Sequence, residues 1–315
     1  MIRQAASLAD ADRVLREKGK TFAWARRFLG RRHAERSTRL YAFCRYLDDV
    51  ADETPDPEEA QQALGKIRAD MVRGASADPM VSAVLEVLGG EGPGVEAAVS
   101  LIDGVRSDLG EVRLADERAL IRYCYRVAGT VGVMMCYALE RPKAAALPHA
   151  VDLGIGMQLT NIARDLHEDG SLGRRYVPAS LVGELHPDDI IAPTDQQLRD
   201  LVDARERLLE IANRYYTSGE RGLCFLPLRA RSAMLVAAEC YRAIGSRALA
   251  LGPHIKTRAF VPTAGKVIIS IAALLGHALR PSFWRRPLRH DSTLHQDLDG
   301  LGGANAPERG AAPGA

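Results

Sequence analysis

Apolar residues recur at three- and four-residue intervals along most of the chain, the period of helices with one buried face. The pattern runs from about Leu8 to Leu29. It returns at Leu40–Val50, Leu64–Val72, Met80–Leu88, Val95–Leu109, Leu120–Leu139, Val151–Leu166, Leu198–Tyr216, Ala230–Leu251 and Pro262–Leu279. Alternating runs of the β type are scarce, so the pattern predicts an all-α fold. Turn-forming clusters at Thr54–Pro57, Gly89–Gly94, Gly170–Pro178 and His186–Pro193 separate the helices. Ser37 and Thr38 stand where an N-cap would precede the helix holding Leu40. A single helical domain is expected over 1–295. The Gly-, Ala- and Pro-rich end predicts a disordered tail over 296–315.

Composition narrows the function. Forty-two basic and 40 acidic residues leave a net charge of +2, without the basic excess of a nucleic-acid binder. Charge must therefore act locally. Cys44, Cys124, Cys136, Cys224 and Cys240 are scattered, odd in number and lack a Cys-x-x-Cys pair, which fits a reducing cytoplasm. No apolar run of signal-peptide type precedes Phe22, and the longest apolar run, Val267–Leu275, is too short to span a bilayer.

Two segments concentrate the candidate chemistry. At about 100° per residue, Tyr41, Arg45, Asp48 and Asp52 fall within about 60° on one helix, with Asp49 at the edge. Gln158, Asn161, Asp165 and Asp169 fall within about 80° on another. Each stripe alone also fits a solvated helix face. Oxygen ligands on a rigid helix suit Mg²⁺, which keeps places for phosphate oxygens and water. Gln158 and Asn161 lie among Ile155, Leu159 and Ile162, and an amide buried there without partners costs about 1–3 kcal/mol. Carboxylates facing each other at about 5.5 Å would repel by roughly 3 kcal/mol at an effective dielectric of 20. Cations bridging the stripes would relieve that, so the pair reads as a metal-bridged diphosphate site.

In order along the chain, Tyr-Ala-Phe-Cys-Arg-Tyr-Leu-Asp-Asp-Val-Ala-Asp (41–52), Tyr-Cys-Tyr-Arg-Val-Ala-Gly-Thr-Val-Gly (123–132), Gln-Leu-Thr-Asn-Ile-Ala-Arg-Asp-Leu-His-Glu-Asp (158–169) and Gly-Arg-Arg-Tyr-Val-Pro (173–178) resemble the squalene/phytoene synthase family. Lys20-Thr21-Phe22 is similar to its N-terminal diphosphate-contacting segment, with Thr21 where Ser is commoner. Arg258 and Lys266 are similar to its late basic pair. The resemblance implies one isoprenoid-synthase-type domain with a central cavity. It implies Mg²⁺, or Mn²⁺ in its place, on Asp48, Asp52, Asn161, Asp165 and Asp169. Arg45, Arg174, Arg258 and Lys266 would contact diphosphate oxygens. Phe22, Tyr41, Tyr123, Gln158 and Tyr241 would line the reaction zone.

The implied reaction ionises one prenyl diphosphate, adds the double bond of a second to give a cyclopropyl intermediate, and opens that ring with proton loss. Residues 123–135 are most similar to the family's bacterial phytoene-forming branch. That likeness implies two C20 geranylgeranyl diphosphates rather than two C15 farnesyl diphosphates, and no NADPH. Gly154 and Gly156 do not make a dinucleotide fingerprint, because Leu159 takes the third glycine position. Ala128, Gly129 and Gly132 would either wall the pocket or let helices pack closely. Asp188 and Asp189 predict a loop or a helix cap, and His167 an exposed side chain. The mixed aromatic and basic run 283–289 would suit peripheral contact with the inner face of an anionic membrane, or a solvated tail. A non-catalytic assembly protein should have lost metal ligands that are present here. A terpene cyclase would share the acidic clusters but matches 123–132 and 173–178 less well.

Overall fold

A computed structural model describes residues 8–285, 289–302 and 304. The first half holds α1 (Leu8–Lys18), α2 (Lys20–Ala25), α3 (Arg31–Glu53), α4 (Pro57–Arg73), α5 (Pro79–Leu88), α6 (Pro93–Ser107), α7 (Glu117–Cys124) and α8 (Thr130–Ala138). The second holds α9 (Leu147–Arg164), α10 (Leu166–Ser171), α11 (Ala179–Val182), α12 (Pro187–Ile191), α13 (Asp195–Arg221), α14 (Leu228–Ala250), α15 (Thr263–Ala278) and α16 (Pro281–Trp284). Among the described residues the β structure is one isolated bridge, Arg113 with Arg175.

The core forms around α9. Its Val151, Ile155, Leu159 and Ile162 are buried, as are Leu208, Ile211, Ala212 and Tyr216 on α13, the helix it packs against most extensively. On another side α9 meets α8 and the turn before it at very short range. A Cβ on Gly154 would stand 2.2 Å from the carbonyl oxygen of Ala128, and one on Gly132 would stand 2.0 Å from that of Ala150. Glycine there is a requirement of backbone approach, not of dihedral freedom. Ala128 and Gly132 also line the internal cavity described below, so they serve both roles the sequence left open. Gly129 serves packing, with Tyr125 2.9 Å and Val151 3.2 Å from its would-be Cβ.

Several expectations need correction. The stretch 8–29 is not one helix: Gly19 breaks it at φ −105°, ψ 49°. A Cβ there would lie 2.6 Å from the Tyr41 ring. Ser37 and Thr38 are not caps. α3 begins at Arg31, because its polar first turns face outward, carrying the Arg31–Glu35 pair, and hide the start from a hydrophobic pattern. Thr38 instead donates to the Ala34 carbonyl at 2.7 Å, inside the helix. Residues 120–139 are interrupted by a π-helical turn at Tyr125–Gly129. The 186–193 break contains α12, whose first turn Asp189 caps by accepting from the His186 N–H at 3.0 Å. His167 is partly buried rather than exposed.

The tail expected from residue 296 is also corrected as far as it is described. Residues Ser292–Leu298 form a 3₁₀ helix with Leu298 fully buried. Arg122 donates to the carbonyls of Asp297 and Asp299 at 2.9 Å, and Tyr125 to that of Gly302 at 2.7 Å. Side chains from the body thus satisfy backbone acceptors that composition alone treats as solvated. Residues 303 and 305–315 lie outside the described residues.

Candidate active site

The two acidic segments meet through an arginine. α3 carries Asp48 and Asp52. Arg174 follows α10, its N–H donating to the Asp169 carbonyl at 2.9 Å, while its guanidinium reaches Asp52 at 3.2 Å. The segments are therefore within one arginine side chain of each other. Arg174 is aimed by its neighbour. Arg175 is buried and donates to the carbonyls of Leu114 and Val177 at 3.1 and 2.9 Å, pinning the 173–178 loop against 112–115.

The second segment departs from the expected geometry. α9 ends at Arg164, and Asp165 leaves the helix at φ −102°, ψ 18° before α10 begins. Gln158, Asn161, Asp165 and Asp169 do not share one unbroken helix. The hydrogen bonds Asp165 N–H to Asn161 O (2.9 Å) and Asp169 N–H to Asp165 O (2.8 Å) carry the chain through the break. The Asp165 carboxylate accepts from Arg258 at 2.9 and 3.2 Å and from Arg164 Nε at 2.7 Å.

Two compartments adjoin. An acidic pocket is lined by Asp48, Asp52, Asp108, Tyr123, Gln158 and Arg174. A greasy cavity is lined by Phe22, Leu40, Tyr41, Met135, Leu153, Met157, Asn161, Leu223 and Tyr241, among others. Cys44, Val127 and Gln158 belong to both walls, so the two compartments lie side by side. The greasy cavity is about 250 Å³ and the acidic pocket about 220 Å³. Phe22 stands 6.1 Å from the Tyr41 ring and 5.6 Å from that of Tyr241, placing three aromatic rings beside the junction.

Several of the carboxylates are pushed toward the protonated form despite the arginines beside them. Burial, with Asp52, Asp49 and Asp108 nearby, pushes Asp48 up to about 7 from 3.8, against the pull of Arg45. Burial, then Asp165 and Glu168, pushes Asp169 up to about 8. Burial raises Asp108 to about 6. Buried oxygens of Asn161 (Oδ1) and Asp108 (Oδ1) have no hydrogen-bond partner. Unpaired oxygens among protonation-prone carboxylates are the donor set a hard divalent cation takes.

These shifts predict a pH dependence. A carboxyl raised in the folded state stabilises it below its ordinary value, and that stability is lost as pH rises through the raised one. Metal-free protein should therefore lose melting temperature between pH 6 and 8.5, and divalent cation plus pyrophosphate should restore it. The gap between the two forms should widen on the order of 5 °C across that range, by scanning calorimetry. A gap independent of pH would contradict this.

Other expected residues have other partners. Arg45 binds Asp49 at 2.6 Å and lies 3.9 Å from Asp48. Tyr123 commits its hydroxyl to Asp108 at 2.9 Å and stacks on Tyr176 at 4.7 Å. Lys266 donates to the Lys20 carbonyl at 3.0 Å, tying α15 to α2. Neither Lys266 nor Thr21 lines the two compartments. The sequence reading missed Asp108, Tyr176 and Arg164. Arg164 and Tyr176 stood inside the quoted segments with no role given. Asp108 is a single carboxylate just after α6, and no spacing announces it.

An all-α body that sets an acidic pocket beside a greasy cavity has the architecture of the isoprenoid synthases. The chain belongs to the squalene/phytoene synthase family, whose profile matches residues 15–264. It is 31% identical over 305 residues to a phytoene synthase of Pseudescherichia vulneris, covering 89% of this chain and 98% of that one. It is 33% identical to a 15-cis-phytoene synthase of Enterobacter agglomerans, covering 85% and 98%. Among solved structures it is similar to a dehydrosqualene synthase in complex with ligand, with a TM-score of 0.75, 26% identity, and coverage of 87% and 97%. The family carries out a divalent-metal-dependent reaction of prenyl diphosphates.

Proposed function

We propose that this chain is a phytoene synthase of carotenoid biosynthesis, joining two geranylgeranyl diphosphates head to head and releasing both diphosphates. The observation that carries this is the greasy cavity lying against the acidic pocket, with Cys44, Val127 and Gln158 in both walls. Prenyl tails have a dry place directly beside a charged place for diphosphate. The phytoene synthases among the relatives supply the choice of C20.

Asp48, Asp52, Asn161, Asp165 and Asp169 would hold Mg²⁺, with Mn²⁺ as the alternative. When bound, the ion neutralises charge on the leaving diphosphate. Arg174 and Arg258 stand beside these ligands with planar forks suited to diphosphate oxygens. The rings of Phe22, Tyr41 and Tyr241 can each stabilise a neighbouring cation by about 0.5–2 kcal/mol. Burial raises Tyr41 well above the ordinary tyrosine value, so its hydroxyl is protonated beside the cavity. The cavity wall excludes water from the cation until a cyclopropyl intermediate has formed, reopened and lost a proton.

Purified protein given geranylgeranyl diphosphate and Mg²⁺ without NADPH should yield a C40 hydrocarbon of phytoene mass and two diphosphates per product. Preference for farnesyl diphosphate, or a demand for reductant, would replace this reading with the C15 one.

No helix among the described residues is long and apolar enough to cross a membrane. Peripheral contact from the cytoplasmic side would suit a hydrocarbon product. Of the basic and aromatic run at 283–289, residues 286–288 lie outside the described residues. A stronger candidate is the outer face of α15, where Ile268, Ile271, Leu275 and Leu279 are 68%, 55%, 66% and 86% exposed, with Phe260 nearby in sequence at 70%. Protein should float with anionic liposomes at low salt, and Ile268→Asp/Leu275→Asp should sink. Equal flotation of both proteins would remove this contact.

A further inference from the structure

Away from the acidic pocket, three imidazoles gather around one carboxylate. Asp152, on α9, is fully buried. It accepts from His290 Nε2 at 2.7 Å and from His295 Nε2 at 2.8 Å, both from the C-terminal segment. A third imidazole, His149, one helical turn earlier on α9, packs edge-on against His290 with ring centroids 5.0 Å apart. Ligand atoms from His149, Asp152 and His290 all lie within 4.8 Å of one another.

The tautomer of His149 is fixed by its partner. Its Nδ1 meets the carbonyl of Ser218 at 2.8 Å, which can only accept, so Nδ1 carries the proton and Nε2 keeps its lone pair. A backbone carbonyl on the far nitrogen is the usual support of a metal-ligating histidine. The hydroxyl of that same Ser218 is buried without a hydrogen-bond partner, leaving an unmet polar group beside the cluster. Burial lowers the His149 pKa, so at neutral pH this ring is an unprotonated ligand rather than a third positive charge. The other triad of this kind among the described residues, Glu220, Glu239 and His277, already holds Arg242 on Glu220 at 2.8 Å.

We propose that His149, Asp152 and His290 form a second metal site, for Zn²⁺, that clamps the C-terminal segment onto α9. Zinc would take the place of the proton that His290 Nε2 shares with Asp152, which is released to solvent, and would meet two imidazole nitrogens and one carboxylate oxygen, a set that matches it in donor type and number, with one position left for His295 or water. The set is too rich in nitrogen for Mg²⁺, which prefers oxygen ligands and retains water. The site is thus chemically distinct from the all-oxygen set around Asp48 and Asp165. Its role is structural: α9 also carries Gln158 and Asn161, and the ion would hold the segment that covers its other side.

The test uses the full chain, loaded with zinc sulfate and desalted, with bound metal measured by atomic emission. About one zinc per chain is expected, falling at least about fivefold in His290→Ala and in Asp152→Asn. Asp48→Ala and Asp165→Ala should keep it. A wild-type chain that holds no zinc, or that loses it on Asp48→Ala, overturns the proposal, since the ion then sat in the acidic pocket or nowhere. Because the Asp152 variant could fail to fold, Co²⁺ is added to unaltered protein as a second measurement. A tetrahedral nitrogen-bound ion gives intense visible absorption, and only the faint colour of an octahedral oxygen-bound one would overturn the assignment.

Discussion

Asp48→Ala and Asp165→Ala are each expected to lower turnover about 10³-fold, corresponding to several kcal/mol of charge stabilisation at the leaving group. The two residues belong to different segments, so equal losses would show that neither cluster suffices alone. Neither change should unfold the protein. Asp48 lines the acidic pocket, where burial and then its acidic neighbours raise its pKa, so removing it relieves an unfavourable charge in the metal-free state. Asp165→Ala frees Arg258, whose side chain is already 57% exposed, and leaves Arg164 to find other acceptors. Helical circular dichroism should therefore be unchanged in both, while product formation, followed as released diphosphate, collapses. Near-normal turnover in either variant would remove that residue from the metal set.

The largest stability effects should come from glycines that touch only backbone. In Gly154→Ala the new methyl would sit 2.2 Å from the Ala128 oxygen and 2.6 Å from its carbonyl carbon. No rotamer relieves this, because a Cβ has none, so α9 must move away from the turn before α8. Overpacking of this kind costs about 1–3 kcal/mol, and contact with backbone places it at the upper end. For a chain of 315 residues that is a loss of about 4–5 °C in melting temperature. Gly132→Ala, 2.0 Å from the Ala150 oxygen, should behave alike. Gly65→Ala on α4 and Gly276→Ala on α15 are the controls. Neither Cβ would meet anything within 4 Å, so both should be neutral or stabilising by about 0.5–1 kcal/mol. Similar melting of Gly154→Ala and Gly65→Ala would contradict the close helix approach.

Much of this was legible in sequence because helices with one buried face write their period directly. The Asp48 and Asp52 stripe survives unchanged since α3 is continuous across it. The second stripe is not on one helix, because α9 ends before Asp165 and α10 begins after it. No proline or glycine marks the turn at Asp165, where side-chain bonds from Arg164 and Arg258 take up the carboxylate. The π-helical turn at Tyr125–Gly129 is equally silent, since it adds one residue to a turn without changing composition. Lys266 shows a different limit. Its position in the chain is similar to that of a family diphosphate contact, but its amine is taken up by the Lys20 carbonyl on α2, a helix set off from α1 at Gly19. Tertiary contacts decide such features, and a one-dimensional pattern does not carry them.

The most direct measurement is a structure of the chain with Mn²⁺ and a non-ionisable thio analogue of geranylgeranyl diphosphate. The account predicts metal density touching both Asp48 or Asp52 and Asn161, Asp165 or Asp169, with diphosphate between them and the prenyl chain running past Tyr41 into the cavity. Ions confined to one acidic segment, or a prenyl chain lying outside that cavity, would contradict it.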